Sequence, residues 1–321
     1  MTPPVAELAD RLAAHPSIRS KLGIARSTRA LGLTADHAGR PGDDAAALPC
    51  EGGYDLLAGE GFIPAFVEAD PWFAGWCAVM VNLSDIAAMG GRSTAIVNQV
   101  WAPDAEKAAP LLAGLRDAAA AYDVPLVGGH TNLAAPSLGL AASVMGKATR
   151  LITSFDAAPD DLLIAAIDHR GRYHNFDNFC AALDAPPARL RKDLDLLADL
   201  ADDDLARAGK DISQGGIVGT ALMLAECSSV GMDIDLSALR PPPGIALERW
   251  LRTFPSFGFL LSVPRPQANP VCARFSARGI DAQVIGRVAH GSRITLTDGP
   301  DSALFWDHAD TPYLDLGTHN A

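Results

Sequence analysis

The sequence predicts a mixed α+β protein of two domains, spanning residues 1–157 and 158–321. Three observations predict it. A length of 321 residues suits two ordinary domains or one large one. Apolar residues make up 49% of the chain, enough to fill packed cores. Segments of helical and strand character follow one another in mixed order, the pattern of α+β and α/β folds.

The elements follow in order. Val5, Leu8, Ala9 and Leu12 recur with helical period over residues 5–14. Residues 23–53 are rich in Gly, Ala and Asp without periodicity and read as a mobile loop that ends in a strand near Ala45–Leu48. Asp70-Pro71 opens a helix, with Asp as N-cap and Pro in the first turn. That helix runs through Trp72, Trp76, Met80 and Leu83 to Met89, where Gly90-Gly91 stops it. Ser93–Trp101 is a strand by composition, and Asp104 opens an Ala-rich helix to Tyr122. A short strand, Val124–Val127, runs into Gly128-Gly129, and Leu138–Lys147 is another strand.

A second domain begins near Pro159-Asp160. It reads as a strand at Leu162–Ile167, a charged helix at Pro187–Ala208 and an apolar helix at Gly215–Val230. Strands at Met232–Leu236, Phe257–Val263 and Gln283–Val288 follow, with a helix at Gln267–Arg278. Pro241-Pro242-Pro243 is a rigid connection within this domain.

Charge and targeting narrow the function. The formal charge is −12, so the surface repels phosphate polymers and nucleic acid is not an expected partner. An anionic small molecule fits only where a metal ion or backbone N–H groups offset its charge. No uncharged stretch reaches the ~18 apolar residues of a membrane span, and MTPPVAELADRL carries no secretion signal. The five cysteines lack CxxC and zinc spacing and read as buried thiols of a cytoplasmic protein.

Five segments could carry chemistry. In Gly42-Asp43-Asp44-Ala45-Ala46 two acids enter a strand, where alternation sends their side chains apart unless a turn at Gly42 gathers them. They are either a solvated turn or ligands for Mg²⁺, a hard cation that takes carboxylate oxygens. Asn82 and Asp85 lie three apart on one face of an apolar helix, so backbone bonds or a cation must satisfy them. Gly128-Gly129-His130-Thr131 follows a strand, either as a plain turn or as a close approach to a ligand. Asp211, Ser213, Gln214, Gly215 and Gly216 open an apolar helix, a place for N-capping or for a phosphate. Arg170, Arg172 and His174 concentrate basic groups in an acidic chain, as a polar hairpin or a substrate loop. GxxxxGK[ST], G-x-S-x-G and HExxH are all absent.

Taken together and in this order, GDDAA at 42–46, NLSDIAAMGG at 82–91, GGHT at 128–131 and DISQGG at 211–216 resemble the aminoimidazole ribonucleotide synthase-like (AIR synthase-like) superfamily of ATP-using enzymes. The resemblance covers about Gly42 to Val288 and implies a two-domain fold. Its N-terminal domain would contribute strands to a β-barrel shared across a homodimer, and its C-terminal domain would be an α/β sandwich. It implies an ATP and Mg²⁺ site, with Asp43, Asp44, Asp85 and Glu60 on the metal. Gly42, Asn82, Gly128, Gly129, His130 and Thr131 would complete the nucleotide site. The stretch before Gly42 would fold over the nucleotide. A small-molecule substrate would meet the DISQGG turn and the 170–174 segment. The implied chemistry is phosphorylation or ATP-dependent activation of a small metabolite.

The chain departs from individual branches. Thiamine-monophosphate kinases carry acids where this chain has His130 and Gln214. Selenophosphate synthetases share GGHT, but here no reactive cysteine precedes GDDAA. Three readings follow: an ATP-dependent enzyme of its own branch, one of those two activities, or a non-catalytic nucleotide sensor or complex subunit.

Overall fold

The computed structural model describes residues 3–33, 39–174 and 177–316. In chain order the elements are α1 (Val5–Ala14), α2 (Pro16–Arg19), α3 (Ile24–Ala30), β1 (Ala46–Cys50), β2 (Gly53–Gly61), α4 (Pro64–Ala69), α5 (Pro71–Ala88), β3 (Arg92–Trp101), α6 (Ala105–Ala121), β4 (Leu126–Asn132) and β5 (Gly139–Ala148). They continue with β6 (Leu162–Ile167), β7 (Arg172–Tyr173), β8 (Asn178–Cys180), α7 (Pro187–Asp202), β9 (Ala208–Asp211), α8 (Gly216–Ser228), β10 (Gly231–Asp235), α9 (Leu247–Leu251), β11 (Phe254–Pro255), β12 (Gly258–Val263), α10 (Ala268–Ser276), β13 (Asp281–Ala289), β14 (Arg293–Asp298) and β15 (Asp301–Asp307).

These elements gather into two compact units that interleave along the chain. The five-stranded unit comprises Asp44–Leu151 and Asp184–Asp202. The seven-stranded unit comprises Met1–Asp43, Ile152–Leu183 and Asp203–Ala321. The division therefore differs from consecutive stretches 1–157 and 158–321. Local packing explains the difference. α7 buries Leu190, Leu194 and Leu197 and packs on α5, while Arg92 of β3 pairs with its Asp199 and Asp202 at 2.6 and 3.2 Å. α1 buries Leu8 and Leu12 and packs on β14 and β15.

The five-stranded sheet has the order β1-β2-β5-β3-β4. All its pairings are antiparallel except β3–β4. α5 packs on β2, β3 and β5. It starts where the sequence places it, with the Asp70 carboxylate accepting from Phe73 N–H at 3.1 Å. Asp104 caps α6 in the same way, accepting from Lys107 N–H at 2.8 Å. Two glycines let α5 and α6 touch backbone to backbone. A Cβ on Gly114 would fall 1.9 Å from the Trp72 carbonyl oxygen, and one on Gly75 would fall 2.2 Å from that of Leu111. The sheet is open, with β1 and β4 at its edges, and one chain closes no barrel from it. Its other face carries exposed apolar side chains, among them Leu57 opposite Met145, and Trp101.

The seven-stranded sheet has the order β15-β14-β10-β13-β6-β12-β9. β6 is covered on both faces, which is why LLIAAI reads as a continuous apolar run. Leu163, Ala165 and Ile167 join α8 in one core, while α10 packs on β6 and β13. α8 is apolar all round and almost wholly buried. Glu226 near its end accepts backbone N–H groups of Tyr313, Leu314 and Asp315 at 2.7–2.9 Å, fastening the last described segment to the helix. β7, β8 and β11 form a small third sheet in this unit.

Several expectations change here. The strand expected near Ala45–Leu48 is β1, but the rest of residues 23–53 is not one loop: α3 and the start of β2 lie within it, and residues 34–38 lie outside the described residues. The charged helix expected to reach residue 208 stops at Asp202, because Asp204 adopts φ +57° and the chain then enters β9. Cys77, Cys180 and Cys227 are buried, but Cys50 and Cys272 are half-buried. Among the described residues, no helix is long and apolar enough to cross a membrane.

Candidate functional site

The chemistry of the five-stranded unit centres on α5. Asn82 and Asp85 are both buried in a helix whose other inward residues, Ser84 apart, are apolar. Asn82 Nδ2 donates to the Ala78 carbonyl at 2.8 Å, one turn back. Its Oδ1 is buried and accepts no hydrogen bond. An acceptor shut away without a donor is costly, and a water, ion or ligand would satisfy it. Asp85 and Asp44 bring carboxylate oxygens within 4.8 Å of one another. Two oxygens on one Mg²⁺ lie roughly 3–4 Å apart at metal–oxygen distances of about 2.1 Å. A small rotation about the side-chain bonds therefore suffices, and the donor set fits a hard cation.

The sheet adds a row of residues above this helix. Register aligns Glu60 on β2, Ala142 on β5, Asn98 on β3 and Gly129 on β4. Asn98 shares strand parity with the buried Ile96 and Val100, so it points to the helix-covered face. Its Oδ1 lies where a Cβ on Gly129 would come within 2.6 Å, so the glycine makes room for the amide. Glu60 is exposed at the end of the same row. His130 pairs with Gln99 and, by alternation, points away from that row, whereas Thr131 returns to it. Both are exposed on the edge strand, as is Gly128.

Asp43 and Asp44, adjacent in sequence, both precede β1 and fall on either side of the boundary between the two units. Asp43 belongs to the seven-stranded unit, where its Oδ1 accepts from Ser154 N–H at 2.6 Å. Gly42 before it holds φ +113°, with Cys227 Sγ 2.9 Å and Leu316 Cδ1 3.0 Å from where a Cβ would sit. Only glycine meets both conditions.

The second set of expected residues lies in the seven-stranded unit. Asp211 is buried at the end of β9. Ser213 Oγ accepts from Lys21 Nζ at 3.3 Å, Gly215 is the N-cap of α8, and Gln214 is exposed. The backbone of Arg252 presses on Gly216: a Cβ there would fall 2.4 Å from Arg252 C. Arg252 Nη1 reaches Asp177 Oδ2 at 3.3 Å and donates to His15 Nε2 at 2.9 Å. His15 Nδ1 accepts from Ser17 N–H at 3.2 Å and lies 2.8 Å from Ser17 Oγ, so it caps α2. Burial first, and the Arg252 charge second, hold His15 below its usual pKa, consistent with a neutral ring.

The 170–174 segment divides. The Arg170 guanidinium is bound by the buried Asp168, at 2.8 and 3.1 Å, and donates to the Arg278 carbonyl at 2.9 Å. It therefore shapes the chain locally. Arg172 is exposed on β7, and His174 N–H donates to the Asn178 carbonyl at 3.1 Å. Residues 175 and 176 lie outside the described residues. Sequence reasoning missed Asn98, Arg252 and His15. For Asn98 the signal existed, since it shares strand parity with Ile96 and Val100. For the other two, far apart in sequence, no local pattern exists.

Comparison with known proteins places this geometry. The AIR synthase related protein N-terminal domain matches residues 42–148, and the AIR synthase related protein C-terminal domain matches residues 177–299. The chain belongs to the AIR synthase-related family. This family member is 47% identical over 276 residues to the uncharacterized protein sll0787 of Synechocystis sp., covering 85% of each chain. Its fold is similar to AaThiL complexed with AMPPCP and TMP, with a TM-score of 0.64 at 20% identity, covering 88% of this chain and 96% of that one. It is also similar to T. maritima PurL complexed with AMPPCP, with a TM-score of 0.73 at 13% identity. It covers 92% of this chain but only 50% of that PurL chain, so it spans about half the PurL length. At these identities the two structures establish the shared two-domain AIR synthase-like fold.

Proposed function

We propose that this protein binds ATP with Mg²⁺ and uses it to phosphorylate or activate a small cytoplasmic metabolite. The observation that carries the reading is the approach of the Asp44 and Asp85 carboxylates to within 4.8 Å, with the unsatisfied buried Oδ1 of Asn82 on the same helix as Asp85. AMPPCP, an ATP analogue, in AaThiL and in T. maritima PurL supports the choice of nucleotide. Asp44 and Asp85, with Glu60 at the end of the row, would hold the cation, and Asn82, Gly128 and Gly129 would lie against the nucleotide. Bound Mg²⁺ would neutralise phosphate oxygens and stabilise charge during transfer. In a chain of charge −12 without a P-loop lysine, that neutralisation is what admits a triphosphate. Asp211, Ser213, Gly215 and Gly216 would receive the substrate, with Arg172 and His174 at its margin.

The open face of the five-stranded sheet supports a homodimer. Leu57 and Met145 are about half exposed, directly opposite one another on adjacent strands, and Trp101 stands on the same face. An apolar face of this kind marks an interaction surface, and a second copy would cover it symmetrically.

Calorimetry and light scattering test both parts. ATP should bind with Mg²⁺ and lose affinity when EDTA is added, and the mass in solution should be twice that of one chain. Absence of ATP binding in the folded protein would end the nucleotide reading. A monomer at micromolar concentration would end the dimer reading. Tight binding with no ADP release across a metabolite panel would favour the sensor over the enzyme.

A further inference from the structure

Within the seven-stranded unit, the end of β6 and the start of β13 border a depression of about 200 Å³ that is open to solvent on one side. That volume is the share of about six or seven waters, which suits a small molecule. Ile167 of β6 and the buried indole of Trp250 on α9 supply its apolar part. Four polar side chains also line it: His169, Arg240, Asp281 and Gln283.

The contacts of each polar group set its charge. Asp281 and Gln283 share a face of β13, opposite Ile167 and Ala165 of β6, and Gln283 Nε2 donates to Asp281 Oδ2. His169 Nε2 lies 3.7 Å from the same oxygen, and its ring meets Trp250 edge-on with centroids 5.0 Å apart. Burial holds His169 below its usual pKa against the pull of Asp281 and Asp168, so the ring is neutral near pH 7. Asp168 is matched by the Arg170 guanidinium at 2.8 and 3.1 Å. Arg240 is exposed and has no ion pair among the described residues. Pro241-Pro242-Pro243 follows it, which keeps its backbone extended and stiffens the chain beyond.

This balance of charge selects the ligand. One cation and one carboxylate line the depression without pairing to each other, and the imidazole adds no charge. A simple anion would meet Asp281, and a simple cation would meet Arg240. A molecule with both charges on a compact apolar body meets neither penalty and gains a charge-assisted bond at each end.

We propose that this depression binds a small zwitterion of the amino-acid class, with its carboxylate on Arg240, its ammonium on Asp281 and its apolar part against Ile167 and Trp250. The site does not depend on the nucleotide reading.

Calorimetry on the full chain, without ATP or metal, tests this with L-alanine, L-valine and L-methionine as probes. At least one should bind with a Kd of about 1 mM or below. Its amide, which lacks the carboxylate, and the matching carboxylic acid, which lacks the ammonium, should each bind about tenfold more weakly or worse. Arg240→Gln and Asp281→Asn should each weaken binding of the amino acid about tenfold. No binding of any of the three probes at about 10 mM overturns the proposal. So does unchanged affinity in either folded variant, or a carboxylic acid that binds as well as its amino acid. Should a variant fail to fold, the comparison of amino acid, amide and carboxylic acid on the parent protein decides alone.

Discussion

Asp85→Asn should abolish Mg²⁺-dependent ATP binding and at the same time raise the melting temperature of the metal-free protein. The two effects share one cause. Asp44 and Asp85 hold carboxylate oxygens within 4.8 Å. Carboxylates gathered this closely favour a cation between them, and replacing one by an amide removes a ligand together with its share of like-charge repulsion. Asparagine keeps the shape of the buried side chain, so α5 should pack as before. Expected losses in Mg²⁺–ATP affinity are about 100-fold or more, as for removal of a charged ligand. Thermal melts with and without Mg²⁺ and ATP provide the check. A variant that binds like the parent would remove Asp85 from the site. One that melts lower in the absence of metal would make Asp85 a structural residue.

Gly114→Ala should produce the largest loss of stability in the five-stranded unit. The added methyl would fall 1.9 Å from the Trp72 carbonyl oxygen and 3.0 Å from Trp76 N. Neither belongs to a flexible side chain, so relief requires α5 and α6 to separate. That opens contacts along a helix in which 16 residues are buried. Overpacking of a closed interface costs about 1–3 kcal/mol, and a backbone clash belongs at or above the upper end. The melting temperature should fall by roughly 10 °C, or soluble protein should be lost. Gly61→Ala is the control, because a Cβ there meets nothing within 4 Å. Equal melting temperatures for the two variants would refute the close helix contact.

Much of this was legible in the residues. Asp70-Pro71 and Asp104 announced α5 and α6, because capping chemistry is local. LLIAAI announced β6, because a strand covered on both faces needs no alternation. β2 was not anticipated: GYDLLAGEG mixes acids and glycines on a half-open sheet, which blurs its period. β9 is four residues with charged Lys210 and Asp211 inside it, and it escapes any periodic test. β14 and β15 alternate over Ile294 and Leu296 and turn at Gly299-Pro300, a hairpin signal that the sequence carried and the reading passed over. In the site, the Asn82 and Asp85 pair was visible because helix spacing is fixed. The partners of Asp43 and Asp44, Ser154 for one and Asp85 for the other, were beyond sequence reasoning because only tertiary folding brings them near.

The interleaving of the two units bears on how the chain is made. All parts of the five-stranded unit have left the ribosome once Asp202 has emerged. The seven-stranded sheet waits for β14 and β15. α1, synthesised well before them, packs on those strands. At about 5–20 residues per second, its apolar stripe stays without its final partner for roughly 15–60 s, an interval in which nascent-chain chaperones have a specific ten-residue segment to shield.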